Sequence, residues 1–226
     1  MKHLVVLTGA GMSAESGLKT FRDADGFWEG HDVTEVATPE GFARNPELVL
    51  DFYNQRRRQL KSATPNAAHI QLAQLEKNYK VDIITQNVDD LHERAGSTNV
   101  LHLHGELLKV RSTKFEDDVK HWEEDIVVGD FCKNGHQLRP HIVWFGEAVL
   151  MLDAAIEICQ QADMLLIIGT SLQVYPAASL MHYKPEDVHT YYIDPRPTIS
   201  SSKDLTVITA NATVGMKEFQ KIINGK

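Results

Sequence analysis

The stretch from Leu4 to Trp28 constrains the fold more than any other part of this 226-residue chain. Its apolar run Leu4–Leu7 predicts a buried parallel strand. Gly9 and Gly11 follow directly, and glycine permits a tight turn and a close approach of the backbone to a ligand. We expect Ser13 to cap a short helix after the turn. A strand, a glycine turn and a helix N-terminus in this order form an anion site that suits a dinucleotide pyrophosphate.

The glycine turn does not match the common nucleotide-binding fingerprints. Its glycines lie at positions 9, 11 and 17, so the third comes too late for G-x-G-x-x-G, and no Gly-Lys-Ser/Thr follows as in a P-loop. A glycine-rich turn of any α/β protein therefore stays open at this point. Thr20-Phe21-Arg22 and Gly26-Phe27-Trp28 favour a ligand site, because they place aromatic residues and a fixed cation close behind the turn.

Composition and charge exclude several classes of protein. The net charge is −8 and no basic stripe is present, so we expect no nucleic-acid partner. No apolar run is long enough for a membrane span or a signal-peptide core, so we expect no membrane partner. Cys132 and Cys159 are too few for a disulfide framework, which favours a reducing cytoplasm.

Polar residues also follow other predicted strands. Three groups of polar residues each come directly after a predicted strand: Gln86-Asn87-Val88-Asp89, Gly169-Thr170-Ser171 and Asp194. The carboxyl ends of parallel strands lie at one edge of an open α/β sheet, where ligands bind, and Asp194 could hold ribose hydroxyls there. The alternative is a capped loop-to-helix junction, which Asp89 or Asp90 could satisfy alone.

His104 is the preferred candidate for acid–base chemistry. It follows a predicted strand and precedes Gly105, which permits close backbone approach. A neutral imidazole near pH 7 suits a general base. His102 lies two residues earlier on the same strand face, but deeper, and is the second candidate.

A helix predicted over residues 46–61 carries a cation in an unusual place. At 100° per residue, Arg56 falls in the middle of an apolar stripe, Tyr53 lies at its edge, and Arg57 and Arg58 fall outside it. The stripe consists of Leu48, Val49, Phe52 and Leu60. A buried cation is costly unless an anion meets it. The anion is either a distant Asp or Glu of the fold or a ligand carboxylate that Arg56 and Tyr53 bind together.

The motifs of this chain, taken in order, resemble those of the sirtuins, which are NAD-dependent protein lysine deacylases, and in particular the bacterial members. They are Gly9-Ala10-Gly11 with Thr20-Phe21-Arg22, Thr85-Gln86-Asn87-Val88-Asp89, His104-Gly105, Phe145-Gly146-Glu147 and Gly169-Thr170-Ser171. We expect one catalytic domain over residues 1–226, built on an open, Rossmann-like α/β sheet of about six parallel strands with helices on both faces. Two insertions, at about 31–70 and 111–139, would form a smaller module.

The resemblance implies a reaction that consumes NAD. The amide oxygen of an acyl-lysine attacks the ribose carbon that carries nicotinamide, and His104, as general base, deprotonates a ribose hydroxyl. Water then releases the lysine and O-acyl-ADP-ribose. Asn87 is the second catalytic residue and, with Asp89, would hold the carboxamide and an ordered water. Phe21 would shield the reactive carbon from water.

The resemblance also assigns binding residues to positions of this sequence. Those that would bind NAD are Gly9, Ala10, Gly11, Ser13, Ala14, Glu15, Thr20, Phe21, Arg22, Trp28, Gln86, Asn87, Asp89, Gly169, Thr170, Ser171, Asp194 and Ala212. Those that would bind the acylated lysine of a protein are Tyr53, Arg56, Ala37, Val143, Phe145 and Gly146. Asp194 departs from family members that carry Asn there.

Two features of the substrate residues predict what they bind. Residues 140–147 resemble the family's strand that pairs with the substrate backbone as an added strand, and an ordinary sheet strand is the alternative. The pair Tyr53 and Arg56 resembles that of sirtuins that remove negatively charged acyl groups, and Ala37 resembles the small residue that leaves room for them. We therefore expect removal of malonyl, succinyl or glutaryl groups, alongside acetyl.

Residues 111–139 depart from the family pattern. Most sirtuins hold a structural zinc here with two Cys-x-x-Cys pairs, whereas this segment contains only Cys132. We expect no metal. The residues that would hold the module instead are Phe115, Trp122, Ile126 and Phe131. The alternative is a three-ligand zinc site made of His121, Cys132 and His136.

Two other classes of protein stay open. A nicotinamide dehydrogenase would convert NAD to its absorbing reduced form and release no nicotinamide. A non-catalytic NAD-binding module would bind the cofactor and release nothing.

Overall fold

The computed structural model describes residues 1–19, 27–28 and 30–225. The strands of this part are, in chain order, β1 (His3–Thr8), β2 (Phe27–Trp28), β3 (His31–Asp32), β4 (Lys80–Thr85), β5 (Val100–His102), β6 (Gly105–Ser112), β7 (Val119–His121), β8 (Leu138–Ile142), β9 (Met164–Ile168), β10 (Thr190–Ile193) and β11 (Leu205–Ile208). The α-helices are α1 (Val33–Val36), α2 (Pro39–Arg44), α3 (Pro46–Ser62), α4 (Ala67–Leu75), α5 (Leu91–Arg94), α6 (Leu152–Cys159) and α7 (Ala212–Asn224).

Six strands form the central sheet in the order β11-β10-β9-β1-β4-β5, and every neighbouring pair is parallel. All six residues of β1 are buried, because apolar clusters cover both faces of the sheet. One cluster includes Leu72 of α4 and Phe219 of α7, and the other includes Cys159 of α6. The predicted parallel sheet with helices on both faces is confirmed.

A second layer lies beside the carboxyl edge of this sheet. It contains an antiparallel sheet in the order β7-β6-β8, against which α3 packs. Their shared core includes Phe52 and Tyr53 of α3, Leu107 of β6 and Trp144. Helix α3 begins as predicted, because the Asn45 side chain accepts a hydrogen bond from the Leu48 amide and caps the first turn.

The buried face of α3 is wider than predicted. Arg57, placed outside the buried stripe by helical periodicity, is 0% exposed, and its guanidinium donates to the Leu107 carbonyl (3.1 Å) and to Asn54 Oδ1 (2.8 Å). Asn54 also binds both the amide and the carbonyl of Ile126. The prediction for Arg57 is wrong because α3 is covered on two sides, by β6 and by the segment around Ile126, where the Leu107 carbonyl and Asn54 Oδ1 accept two of its hydrogen bonds.

The predicted core of residues 111–139 is half right. Ile126 is buried and Trp122 packs against the same cluster, whereas Phe115 and Phe131 are 41% and 58% exposed. The small cluster instead contains Leu50, Val110, Ile126, Cys132 and Leu138. Within the described residues, no three His, Cys, Asp or Glu side chains come together as a metal site. No described helix is long and apolar enough to span a membrane.

Candidate active site

A cavity of about 890 Å³ lies at the carboxyl edge of the central sheet, facing the second layer. This volume falls in the range of small-molecule sites. Every predicted site residue that the structure describes lines this one cavity. Thr20, Phe21 and Arg22 lie outside the described residues, so the structure does not test them. The convergence of the other positions follows from the parallel sheet, whose strands all end at this edge.

The glycine turn after β1 interlocks with the turn after β9. The Gly9 amide donates to the Ile168 carbonyl (3.1 Å) and the Gly11 amide donates to the Gly169 carbonyl (2.8 Å). A Cβ atom on Gly9 would lie 2.7 Å from the Cβ of Thr170, and one on Gly11 would lie 2.7 Å from the Cα of Gly169. Glycine is therefore required here for the packing of two backbone turns, and these two amides already donate within the protein.

The chain after the glycine turn forms two short 3₁₀ segments, Ala10–Met12 and Ala14–Ser16, rather than one helix. Ser13 precedes the second segment, but its side chain makes no capping hydrogen bond. Its hydroxyl instead donates to Asp89 Oδ2 (2.9 Å) and accepts from Asn87 Nδ2 (3.2 Å). The prediction that Ser13 is a helix cap is wrong, because buried partners from the loop after β4 bind its hydroxyl.

Asp89 is a buried carboxyl group in the cavity wall. It is 6% exposed, and burial raises its pKa to about 6, although hydrogen bonds from Ser13 and from the Leu91 amide lower it in part. The Leu91 bond, 3.2 Å, tethers the carboxylate to the start of α5 as the capping alternative foresaw. Asp89 therefore lies in the site at a substantial electrostatic cost.

The two histidines near the end of β5 differ in the hydrogen bonds that their ring nitrogens make. His104 Nδ1 lies 3.1 Å from the Gln86 carbonyl. Because a carbonyl only accepts, Nδ1 carries the proton and Nε2 carries the lone pair in the neutral ring. Burial lowers the pKa of His104, with the Gln86 hydrogen bond opposing it. His104 is thus a neutral imidazole at pH 7 in the cavity wall, which is the state a general base needs.

His102 has partners at both nitrogens. Its Nδ1 lies 3.1 Å from the Asn87 carbonyl and its Nε2 lies 2.7 Å from Glu93 Oε1. Burial alone would lower the pKa of His102, but the hydrogen bond and charge of Glu93 outweigh it and the pKa is raised. His102 holds the loop after β4 in place. This geometry favours His104 over His102 as the base.

The predicted substrate residues line the same cavity. The Tyr53 hydroxyl accepts a hydrogen bond from Trp144 Nε1 (3.0 Å). Arg56 donates to the Phe52 carbonyl (2.6 Å), and its guanidinium carbon lies 3.8 Å from the centre of the Phe52 ring. Trp28 packs against the same ring at 5.0 Å.

The segment after β8 also lines this cavity. Strand β8 ends at Ile142, earlier than the extended segment predicted over residues 140–147. The Val143 amide donates to the His104 carbonyl (2.9 Å), and the Phe145 amide donates to the Ala37 carbonyl (2.9 Å). A turn follows at Phe145 and Gly146. These bonds fix the segment between the candidate base and the substrate residues.

Four residues beside the predicted substrate residues received no role from the sequence: Arg111, Arg139, Trp144 and Glu147. Glu147 binds Arg139 through both carboxylate oxygens (2.6 and 3.1 Å) and also accepts from Arg111 (3.2 Å). The Arg139 guanidinium lies 3.3 Å from the centre of the Trp144 ring. No spacing rule identifies Arg139 or Trp144, because the partner of the Trp144 indole is 91 residues away in the sequence.

Asp194 and Glu15, two of the residues predicted to bind NAD, lie beside β10 and α7. Asp194 is 2% exposed at the end of β10 and accepts from the Arg196 amide (2.8 Å). Glu15 binds the start of α7, accepting from the amide (2.9 Å) and the hydroxyl (2.7 Å) of Thr213. Glu15 therefore anchors α7, whose first residue is Ala212, to the glycine turn.

The fold and the site together define an α/β protein with a ligand cavity at the carboxyl edge of a parallel sheet and a neutral histidine in its wall. The sequence model described as "Sir2 family" matches residues 9–176 of the chain. The chain belongs to the Sir2 family, the sirtuins, and the resemblance read from its motifs is confirmed.

Relatives and solved structures of the family cover almost the whole chain. A Helicobacter pylori protein named NAD-dependent protein deacylase is 65% identical over 196 residues, which are 87% of this chain and 86% of the relative. A mutant Sir2 homologue solved with ADP-ribose is 40% identical, with a TM-score of 0.89. The match covers 100% of this chain and 94% of the homologue's chain. A Sir2 homologue solved in complex with NAD is 40% identical, with a TM-score of 0.88. The match covers 99% of this chain and 90% of the homologue's chain.

Proposed function

We propose that this chain is an NAD-dependent protein-lysine deacylase that removes acidic acyl groups, namely succinyl, malonyl or glutaryl, alongside acetyl. The deacylase activity follows from membership of the Sir2 family and from relatives that carry that name. The acyl preference is supported by one observation: Tyr53 and Arg56 line the same cavity as His104. A carboxylate held by the first two residues would belong to an acyl chain whose amide lies near the base.

The wall of the cavity fits NAD. The buried Asp194 carboxylate and the hydroxyls of Thr170 and Ser171 stand at the ends of β10 and β9, where they can bind ribose hydroxyls. When bound, NAD supplies the ADP-ribosyl group that accepts the acyl group, and the products are nicotinamide, free lysine and O-acyl-ADP-ribose.

The residues of this chain supply proton transfer and orientation. His104 accepts a proton from a ribose hydroxyl at Nε2, because its Nδ1 already donates to the Gln86 carbonyl. Asn87 and Asp89 orient the carboxamide and an ordered water. The Ser13 hydroxyl holds both of these side chains, because it donates to Asp89 and accepts from Asn87. Val143, Phe145 and Gly146 bind the backbone of the substrate protein.

Charge supports an acidic acyl group. Arg56 lines the cavity and lies one helical turn from Tyr53 on α3. A guanidinium binds a carboxylate through two parallel hydrogen bonds, and the tyrosine adds a third. The side chain of Ala37 is small and lies in the same wall, which leaves room for a longer chain.

Substitution of Arg56→Met tests the acyl preference, because it keeps bulk and removes charge. We expect kcat/KM for a succinyl-lysine peptide to fall by a factor equivalent to about 2–5 kcal/mol, which is the scale of one buried charged pair. The fall in kcat/KM for the acetyl-lysine peptide should be much smaller. Arg58→Met is the matched control, since Arg58 is on the same helix but points to the surface, where it binds Asp125. Equal losses on both peptides in Arg56→Met would mean that Arg56 has a structural role instead.

Release of nicotinamide tests the reaction itself. NAD incubated with the protein and an acyl-lysine peptide should yield nicotinamide only when the peptide is present. Formation of reduced NAD would identify a dehydrogenase, and binding without any product would identify a non-catalytic module.

We also propose a cytoplasmic location. Both cysteines, Cys132 and Cys159, are buried free thiols, as expected in a reducing compartment. The net charge of −8 disfavours nucleic acid or an anionic membrane surface as a partner.

A further inference from the structure

The Tyr53 hydroxyl is held in one hydrogen-bonding role. Tyr53 is 0% exposed, and its oxygen lies 3.0 Å from Trp144 Nε1. An indole N–H can only donate, so the Tyr53 oxygen is the acceptor in this bond. Within the described part of the chain, the structure gives the Tyr53 hydrogen no acceptor. The hydroxyl is therefore left to donate toward the cavity that it lines.

The hydroxyl remains protonated at neutral pH. Burial raises the pKa of Tyr53, and the hydrogen bond from Trp144 and the charges of Arg139 and Arg56 oppose that increase only in part. A phenol in this state can give its hydrogen to an anionic acceptor, which a phenolate could not do.

The indole of Trp144 is itself immobilised. It is 2% exposed, the Arg139 guanidinium lies 3.3 Å from its ring centre, and its backbone amide donates to Glu147 Oε2 (2.8 Å). Glu147 is held by Arg139 and Arg111. Such fixed geometry lets the indole orient the tyrosine at little further entropic cost.

The residues that hold Trp144 carry a net positive charge beside the cavity. Arg139 and Arg111 contribute two guanidinium groups against the one carboxylate of Glu147. A carboxylate that enters here meets a field of the opposite sign as well as a directed O–H donor.

We propose that Trp144 is a positioning residue for acyl selectivity, whose indole N–H fixes the Tyr53 hydroxyl as a hydrogen-bond donor to the carboxylate of an acidic acyl group. This inference rests on the proposed preference for acidic acyl groups and adds a residue outside the pair Tyr53 and Arg56. Trp144 acts through Tyr53, so its contribution must disappear when the tyrosine oxygen is absent.

A double-mutant cycle tests this dependence. Wild type, Trp144→Phe, Tyr53→Phe and the double variant are compared by the ratio of kcat/KM for a succinyl-lysine peptide to that for an acetyl-lysine peptide. Measuring both peptides on one preparation cancels any loss of folded protein from the ratio. We expect Trp144→Phe to lower the ratio about fivefold and Tyr53→Phe to lower it about tenfold, as for the loss of one buried hydrogen bond. In the Tyr53→Phe background, Trp144→Phe should have no further effect.

The outcomes separate this inference from the proposed function. An unchanged ratio in Trp144→Phe, together with a reduced ratio in Tyr53→Phe, would overturn the role of Trp144 and leave the acyl preference intact. Equal effects of Trp144→Phe in both backgrounds would show that it does not act through Tyr53 and would also overturn the inference. A ratio that neither Tyr53→Phe nor Arg56→Met changes would overturn the acyl preference itself. If Trp144→Phe fails to fold, 3-benzothienylalanine at this position keeps the bicyclic shape without the N–H and takes its place in the cycle.

Discussion

Replacement of Asp89 by Asn should stabilise the protein at neutral pH while impairing catalysis. Burial raises the pKa of Asp89 from 3.8 to about 6, so the folded state disfavours the charged carboxylate. A group whose pKa is raised on folding contributes stability that is complete below its unfolded pKa and is lost as the pH rises through its folded pKa. For Asp89 this loss therefore occurs between about pH 4 and pH 6.

The pKa shift sets the magnitude of the effect. A shift of about two units corresponds to about 3 kcal/mol of unfolding free energy, at about 1.4 kcal/mol per unit. An amide cannot ionise, and its oxygen can still accept from the Leu91 amide as Asp89 Oδ1 does. The stability of Asp89→Asn relative to wild type should therefore rise by about 3 kcal/mol from about pH 4 to about pH 7.5.

Urea unfolding of both proteins across this pH range measures the difference directly. Asp90→Asn is the control, because the next residue carries the same group with 33% of its side chain exposed. A stability difference between Asp89→Asn and wild type that stays constant with pH would refute the argument that the buried carboxylate carries this cost. Loss of deacylase activity in the stabilised variant would show that the cost is retained for function.

Three further predictions concern other parts of the chain. His104→Ala should lower deacylation about a hundred- to ten-thousand-fold and leave NAD binding nearly intact, as measured by calorimetry; near-normal turnover would transfer the base role to His102. Elemental analysis should find well under one zinc per chain, and a chelator should not lower the melting temperature, whereas one tightly bound equivalent would contradict this and indicate the three-ligand alternative of the 111–139 segment. Glu15→Ala should destabilise the protein by about 1 kcal/mol, because Thr213 at the start of α7 loses a carboxylate cap; an unchanged melting temperature would argue against that anchoring role.

The sequence by itself determined the order of the elements and the edge at which the site lies. The run Leu4–Leu7 is apolar throughout, which indicates a strand buried on both faces, and Asn45 starts α3 by a local hydrogen bond. Polar residues that follow parallel strands must lie at a common edge, so Asn87, His104 and Asp194 line one cavity. These features depend on periodicity and on neighbours close in the chain, and such signals are present in the sequence.

Only the tertiary structure decided which of these side chains has which partner. Periodicity assigns one buried face to a helix, but α3 is covered on two sides. Arg57 is therefore buried, although helical periodicity places it outside the buried stripe. Ser13 binds Asp89, 76 residues away, rather than capping its own helix. Trp144 reaches Tyr53 across 91 residues. A hydrogen bond between distant residues leaves no local pattern, because its geometry arises only when the chain between them has folded.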